Sequence, residues 1–215
     1  MTTKIFLVRH TQSTGNIEKR LTGRSRFEIT EDGKKYIELL NNRLKNIKFD
    51  KVYSSTSNRA IKTVEQLAKW NHTKVITSEN LCEMYFGIYD GWKWSEVNKV
   101  NPKVHENHIN TNEIMGIPEQ ESSEEVAKRM YQYILKIAKE NLGKTILIGS
   151  HGVAIEAFLR KVTGEPFLIK REEYSQKNTS LNIINYDSEK EKFELVLLND
   201  LSHLDIILKW EQEQR

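Results

Sequence analysis

The chain has little cysteine and no long apolar run. Its single cysteine, Cys82, cannot form an intramolecular disulfide, and the lack of a disulfide framework fits a reducing compartment. No stretch approaches the ~18 consecutive apolar residues of a membrane span. The apolar run near the start, Ile5 to Val8, is too short for a signal peptide. We therefore expect a cytoplasmic protein without a membrane partner.

The chain also lacks a strong excess of charge of one sign. Lys and Arg number 33 against 30 Asp and Glu, so the formal net charge is only +3, and the charges are interleaved along the sequence. A nucleic-acid-binding protein usually clusters its basic residues on one face or along one helix. This balance favours a small anionic ligand and argues against a nucleic-acid partner.

No internal repeat, low-complexity tract or linker divides the 215 residues, so we predict a single domain over residues 1–215. Apolar runs with strand character alternate with segments of helical periodicity for most of the chain. This alternation predicts a three-layer α/β/α sandwich around a mainly parallel sheet. The predicted strands are 4–8, 51–55, 74–77, 144–149, 180–186 and 193–198.

Polar side chains follow several of these strands, where ligands bind in open α/β sheets. Arg9 and His10 come directly after the first strand, and His151 and Gly152 follow the strand that ends at 149. Arg59 comes after the second strand, near the start of the next helix, where an arginine and the helix N-terminus both suit a phosphate. Taken singly, each of these residues is more simply explained as a solvated polar terminus.

The segment from Leu81 to Gln120 is less regular and holds two further candidates. Glu83 lies among apolar and aromatic residues, and a carboxyl group in such surroundings can act as a general acid. His105 and His108 are spaced as two metal ligands on a helix, but no third ligand lies nearby, so we expect no metal site. The aromatic residues of the segment suit either the core or a ligand pocket: Tyr85, Phe86, Tyr89, Trp92 and Trp94.

Together, in this order, these residues resemble the motifs of the histidine phosphatase superfamily, which includes the phosphoglycerate mutase-like enzymes. The resemblance covers almost the whole chain, from about Lys4 to Leu204. It rests on six segments: Phe6 to Thr11 with Asn16, Leu21-Thr-Gly23 with Ile29 to Gly33, Val52 to Thr63, Leu81 to Gly91, Gly149-Ser-His-Gly152, and Asn199 to Leu204.

The resemblance implies a phosphoglycerate mutase-like fold and a set of roles. His10 would be the nucleophile that takes the phosphoryl group, and Glu83 would protonate the leaving oxygen and then activate water. Arg9, Arg59 and His151 would neutralise the transferring oxygens. The remaining substrate contacts would come from Asn16, Thr22, Gly23 and Gly152. Fixed cations can stabilise phosphoryl transfer, so neither a metal ion nor a cofactor is expected.

The sequence departs from the mutase pattern of the same superfamily. Phe86 and Trp94 stand where mutases place a tyrosine and a lysine, and the segment 92–121 contains no arginine, while five glutamates offset its three lysines. We therefore predict a phosphatase for small phosphorylated metabolites, with a lid-like insertion at about residues 84–121. A phosphoglycerate mutase and a non-catalytic phospho-ligand binder remain as alternatives. The sequence leaves the substrate and the oligomeric state open.

Overall fold

A central six-stranded sheet organises the computed structural model of the chain, which describes residues 1–111, 114–169 and 172–205. The strands are β1 (Thr2–Arg9), β2 (Lys51–Ser54), β3 (Val75–Thr77), β4 (Thr145–Ser150), β5 (Leu181–Asp187) and β6 (Lys192–Asp200). Their spatial order is β3-β2-β4-β1-β5-β6. The first four strands run parallel, and β5 and β6 add an antiparallel hairpin beside β1. The predicted mainly parallel sheet is confirmed.

Helices cover both faces of the sheet. They are α1 (Thr14–Ile17), α2 (Glu31–Leu44), α3 (Asn58–Trp70), α4 (Trp94–Val100), α5 (Pro102–Thr111), α6 (Ser123–Glu140) and α7 (Gly152–Thr163). On one face, α2 and α3 bury their apolar stripes against Phe6, Val8 and Val52. On the other face, α6 and α7 pack against Ile5, Leu7 and Ile148. Alternate residues of β1 therefore enter opposite cores, as strand geometry requires, and the three-layer sandwich is confirmed.

Local sequence signals explain where the main helices begin. The Thr30 hydroxyl accepts a hydrogen bond from the Gly33 backbone N–H (2.9 Å), and Glu31 and Asp32 supply an acidic first turn to α2. A capping box formed by Ser122 and Glu125 starts α6, as the Ser-x-x-Glu spacing favours. Caps of this kind satisfy backbone N–H groups that a helix leaves without partners.

The segment between β3 and α6 is where the sequence was least informative. It contains α4 and α5, which the sequence did not predict, and two short 3₁₀ turns at Glu79–Leu81 and Gly87–Tyr89. Val97, Val104, Ile114 and Ile117 from this segment are buried in the same core as α6 and α7. Its helices are too short to show a clear apolar period, and tertiary burial stabilises them.

The sheet register brings the two sequence-predicted histidines together. β1 and β4 are neighbours, and Arg9 pairs with Ser150 at their ends. His10 and His151 are therefore the next residues on adjacent parallel strands, and their ring centroids lie 5.1 Å apart. In the described part of the chain, no helix is both long and apolar enough to cross a membrane.

Candidate active site

His10 is held in one orientation by its own backbone segment. The ring is 1% exposed, and its Nδ1 lies 2.6 Å from the carbonyl oxygen of Thr11. A carbonyl only accepts hydrogen bonds, so Nδ1 carries the proton and Nε2 keeps its lone pair. Burial, with the nearby charges of Arg59 and Arg9, holds the pKa of His10 well below its usual range. The ring is therefore neutral near pH 7, which is the form that a nucleophile requires.

Two arginines flank this ring, of which Arg59 is buried and Arg9 is partly buried. Arg9 Nη1 donates to the carbonyl oxygen of Gln176, while Arg59 donates to the carbonyl oxygens of Thr22 (2.7 Å) and Gly23 (2.9 Å). The Nε atoms of both arginines are buried and have no hydrogen-bond partner within the described residues. Burial lowers the pKa of both guanidinium groups, and they remain cations because their ordinary pKa is so high. Two unsatisfied buried cationic donors fit an oxyanion ligand.

His151 stands at the N-terminus of α7 with both ring nitrogens engaged. Its Nε2 lies 2.7 Å from the Ser55 hydroxyl oxygen, and its Nδ1 lies 3.2 Å from Arg59 Nη2. Arginine can only donate, so Nδ1 accepts and Nε2 donates to Ser55. Burial and the charge of Arg59 hold the pKa of His151 well below its usual range. The ring is therefore neutral and fixed in orientation next to His10, with its N–H donated to Ser55.

Glu83 reaches the start of the same helix from the loop after β3. Its Oε1 accepts hydrogen bonds from the backbone N–H groups of Met84 (2.9 Å) and Ala154 (2.9 Å), and Oε2 accepts from Val153 (3.2 Å). The side chain is 5% exposed. A Cβ atom built on Gly152 would lie 3.5 Å from Arg9 Nε and 3.7 Å from Glu83 Oε2, so this glycine separates the cation from the carboxyl group.

A cavity of about 740 Å³ opens above these groups. Five of the residues predicted from the sequence line it, namely Arg9, Asn16, Thr22, Glu83 and Gly152. Gly23, Arg59, His10 and His151 are not part of this lining, although the two histidines directly adjoin the lining residues Arg9 and Gly152 in the chain. The structure thus brings all nine predicted residues to one end of the sheet, where five line this cavity and Arg59 lines a second one.

The outer wall of the cavity comes from α4 and α5. Trp94 stacks on His108 with ring centroids 4.9 Å apart and planes 10° apart, and His105 meets the Trp94 edge at 5.7 Å. Phe86 and Trp94 line the cavity and also contact the core. Tyr89 packs against the same core and pairs with Trp92, and neither of these two residues lines the cavity. In the residues that the structure describes, no group of three or more His, Cys, Asp or Glu side chains is placed to hold a metal ion.

The loop residues predicted to bind substrate lie close to the two histidines and to Arg59. Asn16 Oδ1 accepts from the backbone N–H of Ser13 (3.0 Å) and from Asn178 Nδ2 (3.3 Å), which leaves the Asn16 amide nitrogen as the group to meet an anion. Thr22 and Gly23 present their carbonyl oxygens to Arg59. A Cβ on Gly23 would meet the Asp90 carboxylate and lie 2.7 Å from the Met84 carbonyl oxygen, so only glycine fits there.

Several residues that support the site were not identified from the sequence. Asn178 donates to the His10 carbonyl oxygen (3.0 Å), and the Gln176 side-chain oxygen accepts from Ser180 (3.0 Å) and from Asn182 (2.7 Å). Lys19, Arg20 and Lys177 add cations to the cavity wall. The position of Gln176 and Asn178 just before the predicted strand 180–186 was the available signal for these two residues. An antiparallel strand beside β1 begins at the edge where β1 ends, so residues that precede it lie near His10.

Comparisons with known proteins show which proteins this chain resembles. The family model described as "Histidine phosphatase superfamily (branch 1)" matches residues 5–201. A protein of Hydrogenobacter thermophilus named "Putative phosphoserine phosphatase 2" is 30% identical over 93% of this chain and 97% of its own length. The Arabidopsis thaliana "Phosphoglycerate mutase-like protein 4" is 27% identical over 94% of this chain and 87% of its own. The solved structure of Bacillus stearothermophilus YhfR aligns with a TM-score of 0.86 at 24% identity, covering 94% of this chain and 99% of that one.

Proposed function

The chain belongs to branch 1 of the histidine phosphatase superfamily, and from that premise we propose that it hydrolyses phosphomonoesters through a phosphohistidine on His10. It is a phosphatase by family and by relatives. The proposal adds the residues that carry the reaction and a substrate of metabolite size. A cavity of about 740 Å³ suits such a ligand.

One observation carries the proposal, namely the orientation of the His10 ring. The hydrogen bond from Nδ1 to the Thr11 carbonyl oxygen fixes the tautomer in which Nε2 holds a lone pair. The same bond remains available when Nε2 is bonded to phosphorus, because Nδ1 keeps its proton. Two arginines beside the ring, each with a buried Nε donor, supply charge where the phosphoryl oxygens would lie.

The reaction then has two balanced steps. In the first, the Nε2 lone pair of His10 forms a bond to phosphorus, the bond to the ester oxygen breaks, and Glu83 gives its proton to the departing alkoxide. In the second, a water oxygen attacks phosphorus, Glu83 takes the proton from that water, and the bond between phosphorus and Nε2 breaks. Inorganic phosphate leaves, and both side chains return to their starting states.

Arg9, Arg59 and His151 act as the fixed charges and dipoles of both steps. Phosphoryl transfer needs positioning and charge stabilisation more than covalent chemistry from the protein. Hydrogen bonds to backbone carbonyl oxygens already orient both guanidinium groups, so they need little reorganisation as charge moves onto the phosphoryl oxygens. Nothing in this arrangement requires a divalent ion.

A mutase reaction is the main alternative, since several of the similar proteins carry mutase or mutase-like names. The sequence argument against it counted only cations of the segment 92–121. The cavity wall also contains Lys19, Arg20 and Lys177, from outside that segment. Arg20 is already engaged with Glu18 (2.6 Å) and with the Gly91 carbonyl oxygen (2.8 Å), so fewer cations remain to retain a bisphosphate.

The two reactions separate in one assay. The enzyme is incubated with 3-phosphoglycerate and a trace of the bisphosphate, and 2-phosphoglycerate and free phosphate are followed together. We expect phosphate release to dominate, and isomerisation much faster than release would make the chain a mutase. A panel of metabolite phosphates that includes phosphoserine then ranks the substrates by kcat/KM.

The covalent intermediate is tested by trapping. Brief mixing with a ³²P-labelled phosphomonoester and quenching should leave an acid-labile, alkali-stable label on the wild-type protein. His10→Ala should carry no label, while the control His105→Ala, which changes another histidine of the same cavity, should label normally. Full labelling of His10→Ala would refute the proposed nucleophile.

A further inference from the structure

We propose that Arg129 is a positioning residue that sets the orientation of the Glu83 carboxyl group. The inference rests on the proposed role of Glu83 and goes beyond it to the device that holds this group. Arg129 lies on α6 and is not part of the cavity lining. It therefore acts through the loop that carries Glu83, without touching the substrate.

The guanidinium of Arg129 donates hydrogen bonds to backbone carbonyl oxygens of Glu83 and of the residues that precede it. Nη1 donates to the carbonyl oxygens of Asn80 (3.0 Å) and Cys82 (2.8 Å), and Nη2 donates to the carbonyl oxygen of Glu83 itself (3.1 Å). These carbonyls lie 46 to 49 residues away in the sequence. One side chain thus fixes three peptide groups of a loop that has no sheet or α-helix to define its path.

Glu121 binds both Arg129 and the backbone on the C-terminal side of Glu83, and we call the pair Arg129 and Glu121 the clamp. Its Oε1 accepts from Arg129 Nε (2.8 Å), and its Oε2 accepts from Arg129 Nη2 (2.9 Å) and from the backbone N–H of Tyr85 (2.9 Å). Burial alone would raise the pKa of Glu121, but the hydrogen bonds from Arg129 and Tyr85 bring it below its ordinary value. The pair therefore stays ionised and grips the backbone both before and after Glu83.

The clamp also contacts the loop that contains Arg24. Arg24 approaches Glu121 (3.6 Å) and donates to Glu79 (3.0 Å). Arg24 belongs to the loop whose carbonyl oxygens at Thr22, Gly23 and Ser25 receive Arg59. The position of the proton donor and the position of a phosphoryl-binding cation are thereby linked through one ionic cluster.

Planar fork geometry is what makes this residue suitable. Arg129 uses Nε, Nη1 and Nη2 in five directions at once, whereas a lysine carries three donors on a single atom and cannot span a carboxylate and three carbonyls. Arg129→Lys therefore keeps the charge and most of the packing while releasing the loop. A displacement of about 1 Å at a catalytic group costs on the order of 10²-fold in rate.

The test compares poor and good leaving groups. Phosphoryl-enzyme formation is measured for an alkyl phosphate, which needs protonation by Glu83, and for an activated aryl phosphate, which needs it far less. We expect Arg129→Lys to slow the alkyl reaction about 10- to 100-fold and the aryl reaction less than threefold, with little change in KM. The control Lys136→Gln alters an exposed residue of the same helix and should change neither rate.

Coupling distinguishes positioning from a merely structural role. If Arg129 acts through Glu83, adding Arg129→Lys to Glu83→Gln should cause almost no further loss with the alkyl substrate. Glu121→Gln, a nearly isosteric change, should reproduce the selective pattern more weakly, which covers the case in which Arg129→Lys folds poorly. Equal losses for both substrates, or full additivity in the double variant, would overturn the inference.

The same panel separates this inference from the proposed function. If Glu83→Gln harms the alkyl substrate selectively but Arg129→Lys does not, the acid role of Glu83 stands and the positioning role of Arg129 is wrong. If Glu83→Gln itself slows both substrates equally, the acid role fails, and the inference about Arg129 fails with it.

Discussion

The unsatisfied Nε donor of Arg9 gives a sharp prediction for anion binding. Arg9 Nη1 is used by the Gln176 carbonyl oxygen, while Nε is buried beside Gly152 without a partner in the described residues. Arg9→Lys keeps the positive charge but removes this donor. A hydrogen bond to a charged group contributes roughly 1.5–3 kcal/mol, so we expect the Kd for inorganic phosphate to rise about 10- to 150-fold.

The binding assay uses stability and needs no turnover. Phosphate that binds only the folded protein raises the free energy of unfolding by RT ln(1 + [phosphate]/Kd), so thermal unfolding is followed over a phosphate titration. The control is Arg20→Lys, the same change at a cavity arginine that Glu18 and Gly91 already satisfy. A change below threefold for Arg9→Lys, or an equal change for Arg20→Lys, would refute the assignment of Arg9 Nε to the phosphoryl group.

Three further outcomes are expected. Exhaustive chelation should leave turnover nearly unchanged, and a loss restored only by a divalent ion would contradict the cationic mechanism. Gly23→Ala should lower the free energy of unfolding by about 1–3 kcal/mol because its Cβ meets backbone and carboxylate oxygens, whereas Gly152→Ala, with contacts of 3.5 Å or more, should fold normally. Burial and Arg43 hold the pKa of His203 at about 4 instead of 6.5, so protonation of the unfolded chain should reduce stability as pH falls from 6.5 to 4. His203→Gln should flatten that part of a urea-unfolding profile, and an unchanged profile would show that the neutral His203 does not contribute.

The sequence predicted the sheet because strand patterns are local signals, whereas the roles of the candidate site residues follow from the family resemblance and stay predictions. Apolar runs such as 144–149 mark buried strands, and polar groups placed directly after them, such as His10 and His151, must meet at one sheet edge. The support of these residues was not predictable in the same way. Arg129 contacts Glu83 only because α6 packs beside a loop that is distant in the sequence. Sequence periodicity does not indicate which arginine will bind backbone carbonyl oxygens.

The cavity wall shows the same limit for a different reason. α4 and α5 form over sequence whose helical pattern is short, and Trp94 and His108 stack only after both helices are placed. The count of basic residues in 92–121 also missed Lys19 and Lys177, which the fold brings to the same cavity from elsewhere in the chain. The lid-like role of residues 84–121 stays a prediction, and Glu113 of that segment lies outside the described residues.

The central place of β1 has a consequence for synthesis on the ribosome. The strand leaves the exit tunnel before the other strands of the sheet, yet both of its neighbours lie far downstream, with Lys4 paired to Thr145 and to Asn185. At about 5–20 residues per second, roughly 7 to 28 s pass between translation of Arg9 and of Ser150, the last residue of β4. During that interval the run Ile5 to Val8 has no strand partner, which makes it a site for chaperone binding or for aggregation of nascent chains.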